Sequence, residues 1–385
     1  MNTLWMDLRH AARMLVKNPG FTLAAVLCLA LGIGATTAIF SVVNAVLLRP
    51  LAYRQPEKLV RVYTEFPTFP NGGLRRFWTS APEFLDLRRD TNSWESLDAW
   101  SNDGATIAGL IQPVRVTASF LSGGMLRSLG VQPVIGRLIT PADDDPSAPV
   151  VADISYGLWK SAFGGDKSIL GKETYLNGQP ATIIGVMPRG FEFPPGEVDP
   201  PQVWSTLQID PAKPGGRGSH YLYLLGRLKT GVTASQAQSE LEAYEQALGA
   251  QHKGDHEHYF NPVSHTLMSF PLQGEVVSSV RPALMMLLAA VGFVLLIACV
   301  NVANLLLARG TVRKKEAALR VSLGATRWQL FSQFLTEGLA LAWIGGALGI
   351  GLAAMLLKVI VVLLPQFSIP TESDIRLNVD RKSVV

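Results

Sequence analysis

Charged residues are missing from three long stretches of this sequence. No Asp, Glu, Lys or Arg occurs in residues 18–48, 282–308 or 338–357. Each stretch is apolar and has the length that an α-helix needs to cross about 30 Å of hydrocarbon at about 1.5 Å per residue. The missing charges therefore exclude a purely soluble protein, and we expect an integral membrane protein with three spans.

Cysteine is scarce. The two cysteines, Cys28 and Cys299, both lie in uncharged stretches, so residues 49–281 contain none. This absence excludes a disulfide-stapled domain between the first two spans. At its length, such a domain can bury a core large enough to fold without disulfides.

A large excess of charge of one sign is missing as well. The formal net charge is +4 with 17% charged residues, and the mean hydropathy is +0.24. The basic residues that stand out flank the apolar stretches, where they set membrane topology. We therefore expect no nucleic-acid partner, and the composition fits three lipid-facing helices joined to a soluble domain.

The basic residues beside the spans predict the orientation of the chain. Loops rich in Lys and Arg stay in the cytoplasm, so the N-terminus and the loop between the second and third spans are predicted inside. The large domain between the first and second spans is predicted outside. The basic residues that carry this prediction are Arg9, Arg13, Lys17, Arg309, Arg313, Lys314, Lys315, Arg320 and Arg327.

The predicted fold class is an α-helical transmembrane bundle with a large α+β extracytoplasmic domain inserted between spans one and two. The predicted parts are a cytoplasmic amphipathic helix at 1–20, span one at 21–48, the extracytoplasmic domain at 49–281, span two at 282–308, a cytoplasmic elbow at 309–336, span three at 337–364 and an extracytoplasmic tail at 365–385.

The extracytoplasmic domain alternates short strand patterns with amphipathic helices. Ser80 and Glu83 form a capping box that begins a helix, and Asn177-Gly178 is a strong hairpin signal. The pattern predicts two lobes, joined by a proline-rich loop at 194–214. Strands are predicted at 60–65, 114–118, 149–154, 174–176, 181–186 and 221–228.

The cytoplasmic loop has a helix–glycine–helix pattern. Residues 313–323 have helical periodicity, in which Glu316 and Arg320 are spaced to pair on the surface. Gly324 is placed to end this helix in a left-handed conformation. Thr326 begins a capping box for the helix that continues into span three. A short rigid elbow of this kind can carry force from a cytoplasmic partner into a transmembrane helix.

Three motifs resemble the MacB/FtsX-type ABC transporter permeases. They are R-K-K-E-A-A-L-R-V-S-L-G-A-T-R at 313–327, I-S-Y-G-L-W-K-S-A-F-G-G-D at 154–166 and N-P-G-F-T at 18–22. The first is similar to the cytoplasmic segment of that family, the second to its periplasmic core domain and the third to the start of its first span. Their order and predicted sides of the membrane also match, so the resemblance covers nearly the whole chain.

The resemblance implies a permease subunit that transmits the ATP-driven motion of a separate cytoplasmic ATPase subunit to the outer domain, for efflux or extraction of a substrate. It implies Glu316, Arg320, Gly324, Ala325 and Arg327 as ATPase-facing residues. It implies no catalytic residue and no cofactor. The family has a fourth span, so the chain resembles one truncated half of a duplicated permease. We expect a homodimer or a pseudo-dimer with a second half, in the lipid of the bacterial cytoplasmic membrane.

Small residues in the third span predict a helix contact. Gly345 and Gly349 form a G-x-x-x-G face that lets another helix approach closely, and Gly346, Ala347 and Gly351 extend it. Glycine is also simply common in membrane helices. The clustering of small residues favours the packing interpretation.

Four of the six histidines fall close together, which raises the question of a metal site. The segment has no cysteine and no carboxylate at a fixed face. A solvated loop is therefore the preferred interpretation, and no metal site is predicted. These histidines are His252, His256, His258 and His265.

Two other functional classes were weighed against the permease. The nearest phosphate-loop candidate, at 164–173, lacks the G-x4-G-K-[ST] spacing, so we expect ATP hydrolysis in a separate chain. A membrane-anchored enzyme would need a nucleophile–base pair or paired carboxylates, and residues 49–281 contain no recognisable motif of this kind. The remaining alternative is a membrane-bound ligand sensor that uses the same outer domain without transport.

Overall fold

The described residues form two compact units. A helical unit combines the segment up to Arg49 with the segment from Val280 onward, and a mixed unit spans Pro50–Ser279. The computed structural model describes residues 13, 15–108, 113–197, 199–255, 258–312, 318–319, 322 and 326–363. In chain order its α-helices are α1 Pro19–Val43, α2 Ala81–Asp90, α3 Met125–Leu129, α4 Tyr156–Ala162, α5 Ala234–Gln251, α6 Leu272–Ser278, α7 Arg281–Val312 and α8 Arg327–Leu363.

Three helices in the described part of the chain are long and apolar enough to cross a membrane. Their apolar segments are Pro19–Leu48, Arg281–Thr311 and Leu335–Val359. The first segment consists of α1 and a π-helical turn over Asn44–Leu48. The third lies within α8, which begins at Arg327 directly after Thr326 and continues unbroken into the span. Most of the predicted amphipathic helix at 1–20 and the whole tail at 365–385 lie outside the described residues.

Large apolar side chains on the spans are exposed. Phe293 and Ile297 of α7 are 67% and 61% exposed, and Trp343 of α8 is 78% exposed. Contiguous apolar surface of this extent is rare on soluble monomers. Lipid tails are as apolar as these side chains, so the exposed faces fit a multi-pass membrane protein.

The mixed unit is built on one large sheet. The strand order along its main path is β12-β1-β11-β4-β5-β10-β7-β9-β6, while β2 pairs with β1, β3 with β11, and β8 with both β4 and β9. The β5–β10 and β7–β9 pairs are parallel. The strands are β1 Leu59–Phe66, β2 Leu74–Phe77, β3 Thr79–Ser80, β4 Trp94–Ala108, β5 Val114–Leu121, β6 Ile135–Gly136, β7 Val151–Ile154, β8 Glu173–Leu176, β9 Gln179–Val186, β10 Val203–Thr206, β11 His220–Leu228 and β12 Thr266–Pro271.

Helices cover different parts of this sheet and divide its core. Phe84 of α2 and Leu241 of α5 pack against β1, β4 and β11. Trp159 of α4 packs with side chains of β5, β7, β9 and β10. A third cluster includes Trp100 and Trp204, each at most 1% exposed. Each large apolar side chain buried in this way contributes about 1.5–3 kcal/mol.

Local signals in the sequence agree with the structure at two turns. Glu83 Oε2 accepts a hydrogen bond from the backbone N–H of Ser80 at 2.9 Å, as the capping box predicts. Asn177 and Gly178 both have positive φ and join β8 to β9 as a tight hairpin. This turn requires the left-handed region at both positions, which Asn and Gly adopt at least cost.

The prediction that residues 194–214 form only a proline-rich loop between two lobes is wrong. The segment 194–214 contains the strand β10, which lies between β5 and β7. Both parts of the mixed unit therefore share one continuous sheet. The strand was missed because all four of its residues are buried, so it shows no alternation of apolar and polar positions.

Candidate functional site

The helical unit is held together by close approach of α8 to α1. A Cβ atom built on Gly345 would lie 2.6 Å from the Cβ of Leu29, and one built on Gly349 would lie 3.1 Å from the Cβ of Ile33. On the α1 side, a Cβ on Gly34 would lie 2.9 Å from the carbonyl oxygen of Gly349. Distances below about 3 Å leave no room for a side chain, so glycine is what permits this contact.

The contact between α8 and α1 uses only some of the small residues of the third span. Among the described residues, and apart from the adjacent residues and the nearby backbone of α8 itself, no atom lies within 4 Å of a Cβ built on Gly346 or Gly351. Gly345 and Gly349 therefore face α1, whereas these two neighbours do not. The structure places the predicted packing residues against span one, and their effect on assembly stays a prediction.

The first span also contacts α7. A Cβ on Gly32 would lie 3.1 Å from the Cβ of Ala298, and Thr36 Oγ1 donates a hydrogen bond to the carbonyl oxygen of Val291 at 3.3 Å. Polar side chains in a membrane span are satisfied by a neighbouring helix in this manner. Span one is thus in contact with both of the other spans.

An ion pair joins α7 to α8 beside the predicted elbow. Arg309 Nη1 lies 3.8 Å from Glu337 Oε2, and the two side chains are only 12% and 3% exposed. The guanidinium carbon of Arg309 also lies 4.7 Å from the ring centroid of Phe21 in α1. A buried charge needs a partner of opposite sign, and a cation over an aromatic face is further stabilised. All three spans therefore meet at Arg309.

The structure places this pair at the two ends of the elbow. Arg309 lies in the last turn of α7, where a cation is favoured by the helix dipole, and Glu337 lies within α8. From sequence, Arg309 indicates only membrane topology, and Glu337 has no predicted role. Each residue stands out as a charge at the edge of an apolar stretch, but the spacing does not show that they pair.

The predicted ATPase-facing residues are described only in part. Glu316, Arg320, Gly324 and Ala325 lie outside the described residues, and Arg327 is the first residue of α8. Their role in contacting an ATPase therefore stays a prediction.

The histidine segment differs from the solvated loop predicted from sequence. His258 fits that prediction because it is exposed and pairs with Asp255 at 2.8 Å. His252 is half-buried and stacks on Tyr259 with a centroid distance of 3.6 Å, and His256 lies outside the described residues. For His265 the prediction is wrong, because this side chain is fully buried in the mixed unit.

Aromatic neighbours enclose His265. Its ring stacks on Phe66 at a centroid distance of 4.4 Å and packs against Phe260 at 4.7 Å. Burial lowers the pKa of His265 to about 4, although the nearby Glu83 carboxylate acts in the opposite direction. The imidazole is therefore neutral near pH 7. No local pattern in the sequence indicates this, because Phe66 and Glu83 are far from His265 along the chain.

Two protein families match successive parts of the chain. Residues 22–244 match the family of MacB-like periplasmic core domains, which is more than half of the chain. Residues 288–377 match the FtsX-like permease C-terminal family. The two matches follow each other along the chain in the order predicted for an outer domain followed by membrane spans.

Curated relatives are named macrolide export ATP-binding/permease protein MacB. The protein from Rhodospirillum rubrum is 26% identical over 56% of this chain and 32% of its own length. The protein from Neisseria meningitidis serogroup A is 28% identical over 58% of this chain and 33% of its own length. This chain thus spans about a third of the length of these relatives.

Two solved structures are similar to part of the chain. The periplasmic region of MacB from Actinobacillus actinomycetemcomitans has a TM-score of 0.41 and 13% identity, covering 63% of this chain and 97% of that one. The extracellular domain of the noncanonic ABC-type transporter YknZ from Gram-positive bacteria has a TM-score of 0.37 and 15% identity, covering 55% of this chain and 99% of that one.

Proposed function

This chain belongs to the MacB/FtsX family of ABC-type permeases, and from that premise we propose that it is a mechanical transmitter driven by a separate ATPase subunit. ATP-driven motion of that subunit moves the cytoplasmic elbow, and the spans carry the motion to the mixed unit outside. The work done there is efflux or extraction of a substrate. In this proposal the partner subunit hydrolyses ATP.

The observation that carries the proposal is the ion pair between Arg309 and Glu337. It joins the two helices that flank the elbow, and the contact of Arg309 with Phe21 adds the first span. Force applied to the elbow therefore acts on three helices that are tied together, rather than bending one helix. Packed helices with two discrete arrangements can carry energetic coupling between distant sites.

Short connections support the same conclusion. Only Ser279 and Val280 separate α6 of the mixed unit from α7. On the other side, the π-helical turn after α1 ends at Leu48, and the mixed unit begins at Pro50. A flexible linker would absorb displacement, whereas connections this short pass a movement of the spans to the domain.

The proposed orientation places the elbow in the cytoplasm of a bacterial cell and the mixed unit outside the cytoplasmic membrane. It rests on the positive-inside bias of the loops. In a background without Cys28 and Cys299, a membrane-impermeant thiol reagent should label Ser101→Cys and not Thr311→Cys in intact spheroplasts. Labelling at position 311 alone would reverse the orientation.

The decisive experiment is capture of the whole chain, with an affinity tag, from the membranes of its own bacterium. We expect an ATP-binding cassette subunit to co-purify and the complex to hydrolyse ATP in a vanadate-sensitive manner. The matched comparison is the same chain with Glu316→Lys, which should co-purify with less ATPase subunit and hydrolyse less ATP. Capture of a sensor protein with no ATPase and no ATP hydrolysis would contradict the transmitter and favour the ligand-sensor alternative.

A further inference from the structure

Three side chains capable of binding a metal ion converge inside the mixed unit, at a place that the transmitter does not use. Glu83, His220 and His265 each offer one ligand atom, and these atoms lie within 4.8 Å of one another. They come from the first turn of α2, from the first residue of β11 and from the residue before β12. The chain brings them together from three distant segments, so no local motif in the sequence shows them.

Glu83 is fixed by the start of its helix. Its Oε2 accepts the backbone N–H of Ser80 at 2.9 Å, which orients the carboxylate. Its Oε1 is buried, accepts no hydrogen bond among the described residues and lies 3.3 Å from His265 Nε2. A buried carboxylate oxygen without a hydrogen-bond donor is unfavourable unless a cation balances it.

The tautomer of His220 follows from its neighbours. Its Nδ1 lies 3.2 Å from the carbonyl oxygen of Gly218. A carbonyl only accepts, so Nδ1 carries the proton in the neutral ring. The lone pair of Nε2 then lies 3.3 Å from Glu83 Oε2. Two lone pairs that face each other repel, and a cation between them removes the repulsion.

This arrangement is the one that metal-binding histidines use. Such a histidine donates its second ring N–H to a carbonyl or carboxylate, which fixes the ring and increases the basicity of the ligating nitrogen. His220 does so through Gly218. His265 is held by its backbone, since its carbonyl oxygen accepts the N–H of Asn261 at 2.8 Å.

His265 completes the set. Both of its ring nitrogens are buried and have no hydrogen-bond partner among the described residues. The rings of Phe66 and Phe260 pack against the imidazole and offer it no hydrogen-bonding atom. Unpaired polar atoms in such a place are costly. A bound ion would satisfy the nitrogen that faces Glu83.

The neighbouring cation does not fill this role. Arg217 contributes to the electrostatics at His265, but its guanidinium is ion-paired with Asp86 and lies 4.3 Å from the ring centroid of Tyr259. Arg217 acts on Glu83 through its charge but forms no ion pair with it among the described residues, so Glu83 Oε1 is left to an ion.

The three ligand groups are close enough to converge on one ion. Zn²⁺ binds histidine nitrogen and carboxylate oxygen at about 2.0–2.2 Å, which places neighbouring ligand atoms of a tetrahedron about 3.4 Å apart. His220 Nε2 lies 3.3 Å from Glu83 Oε2, and His265 Nε2 lies 3.3 Å from Glu83 Oε1. All three ligand atoms lie within 4.8 Å of one another, so small side-chain movements bring them to the edge lengths of a tetrahedron. Two histidines and a glutamate suit Zn²⁺ and exclude Mg²⁺ and Ca²⁺, which need an all-oxygen set.

We propose that Glu83, His220 and His265 bind one Zn²⁺ ion, with water as the fourth ligand. The ion is structural, because Glu83 and His265 are fully buried and leave no open face for a substrate. It ties the start of α2 to β11 and to the segment before β12. This inference does not depend on the coupling to an ATPase, because it concerns the stability of the mixed unit alone.

Metal content tests the proposal directly. The whole chain is purified in detergent with a tag that contains no histidine, stripped with a chelator and titrated with ZnCl₂ alone. We expect one Zn²⁺ per chain by elemental analysis, and a thermal midpoint that rises with zinc concentration because the ion binds the folded state. Cobalt in place of zinc should give the visible absorption of a tetrahedral site.

Single variants separate a ligand set from a nearby histidine. His220→Gln and His265→Gln should each weaken zinc binding by more than about 100-fold, beyond the 10–100-fold typical of outer-shell losses. His258→Gln is the matched control, since His258 is exposed, and it should bind zinc as the parent does. If a variant unfolds, the cobalt spectrum and the number of metal ions per chain of the parent protein still test the proposal. Absence of stoichiometric metal in the parent, or full binding by both ligand variants, overturns the proposal.

Discussion

Arg309 and Glu337 form a buried ion pair, 3.8 Å apart, across the two helices that flank the cytoplasmic elbow. The pair is more than a topology signal, because both side chains lie almost entirely inside the helical unit. Their mutual attraction opposes the free-energy cost of removing both charges from water. Separation of the two helices that flank the elbow would therefore leave a buried charge without its partner.

The first prediction follows from this pair. Glu337→Gln removes the carboxylate that balances Arg309, and breaking a buried pair costs about 3–5 kcal/mol. We expect a lower thermal midpoint of the purified chain in detergent and weaker stimulation of the partner ATPase. Arg309→Glu combined with Glu337→Arg should recover part of both. If Glu337→Gln has the same thermal midpoint as the parent, the ion pair does not contribute to the stability of the protein.

The second prediction compares Gly345, which faces α1, with the adjacent Gly346 of α8, which does not. Gly345→Ala places a Cβ atom 2.6 Å from the Cβ of Leu29, whereas a Cβ on Gly346 has no described atom outside α8 within 4 Å. Alanine favours a helix over glycine by about 1 kcal/mol, so Gly346→Ala should be neutral or stabilising. Gly345→Ala should lower the thermal midpoint, because overpacking costs about 1–3 kcal/mol. Equal midpoints for the two variants would contradict the contact between α8 and α1.

The third prediction concerns pH. Burial raises the pKa of Asp153 to about 7, although the N–H of Ile139 and the charge of Arg137 act in the opposite direction. In the unfolded chain the pKa is about 4. The folded state binds this proton more tightly, so the stabilising effect of the protonated form is complete below about pH 4 and is lost as the pH rises to about 7.

The measurement compares thermal midpoints at pH 5 and pH 8. Asp153→Asn cannot ionise, so its midpoint should fall less between these pH values than that of the parent. Asp145→Asn is the control, because Asp145 is exposed and its pKa is lowered by hydrogen bonds from Ser147. The thermal midpoint of the control should fall between pH 5 and pH 8 by as much as that of the parent. If the midpoint of Asp153→Asn falls by the same amount as that of the parent, the Asp153 carboxylate is already ionised in the folded protein at pH 5.

The spans and local turns could be predicted from sequence because their signals are local. A charge-free stretch or an Asn-Gly pair indicates its own structure. The strand β4 could not, because it lies in the middle of the sheet with both faces covered. Leu97 and Ala99 pack into one core cluster and Trp100 into another, so apolar residues do not alternate with polar ones.

The metal-binding cluster was missed for a different reason. His265 belongs to a group of histidines that are close along the chain, and that proximity predicts only a solvated loop. Its partners, Glu83 and His220, lie in other segments and are brought to it by pairing of β3 with β11 and of β1 with β12. Contacts of this range depend on strand register, which the sequence pattern alone does not determine.

The last prediction concerns the elbow itself and rests on the sequence pattern at Gly324. If this residue ends a helix in the left-handed conformation, Gly324→Val should cost on the order of 1–3 kcal/mol in backbone strain and redirect the following helix. Glu316→Lys should add repulsion to a basic loop. Both variants should insert into the membrane and fold outside as the parent does, while stimulating ATP hydrolysis by the partner less. Ser322→Ala, in the same loop, is the control and should stimulate normally. Should both elbow variants bind and stimulate the ATPase fully, the loop only connects two spans and the transmitter proposal fails.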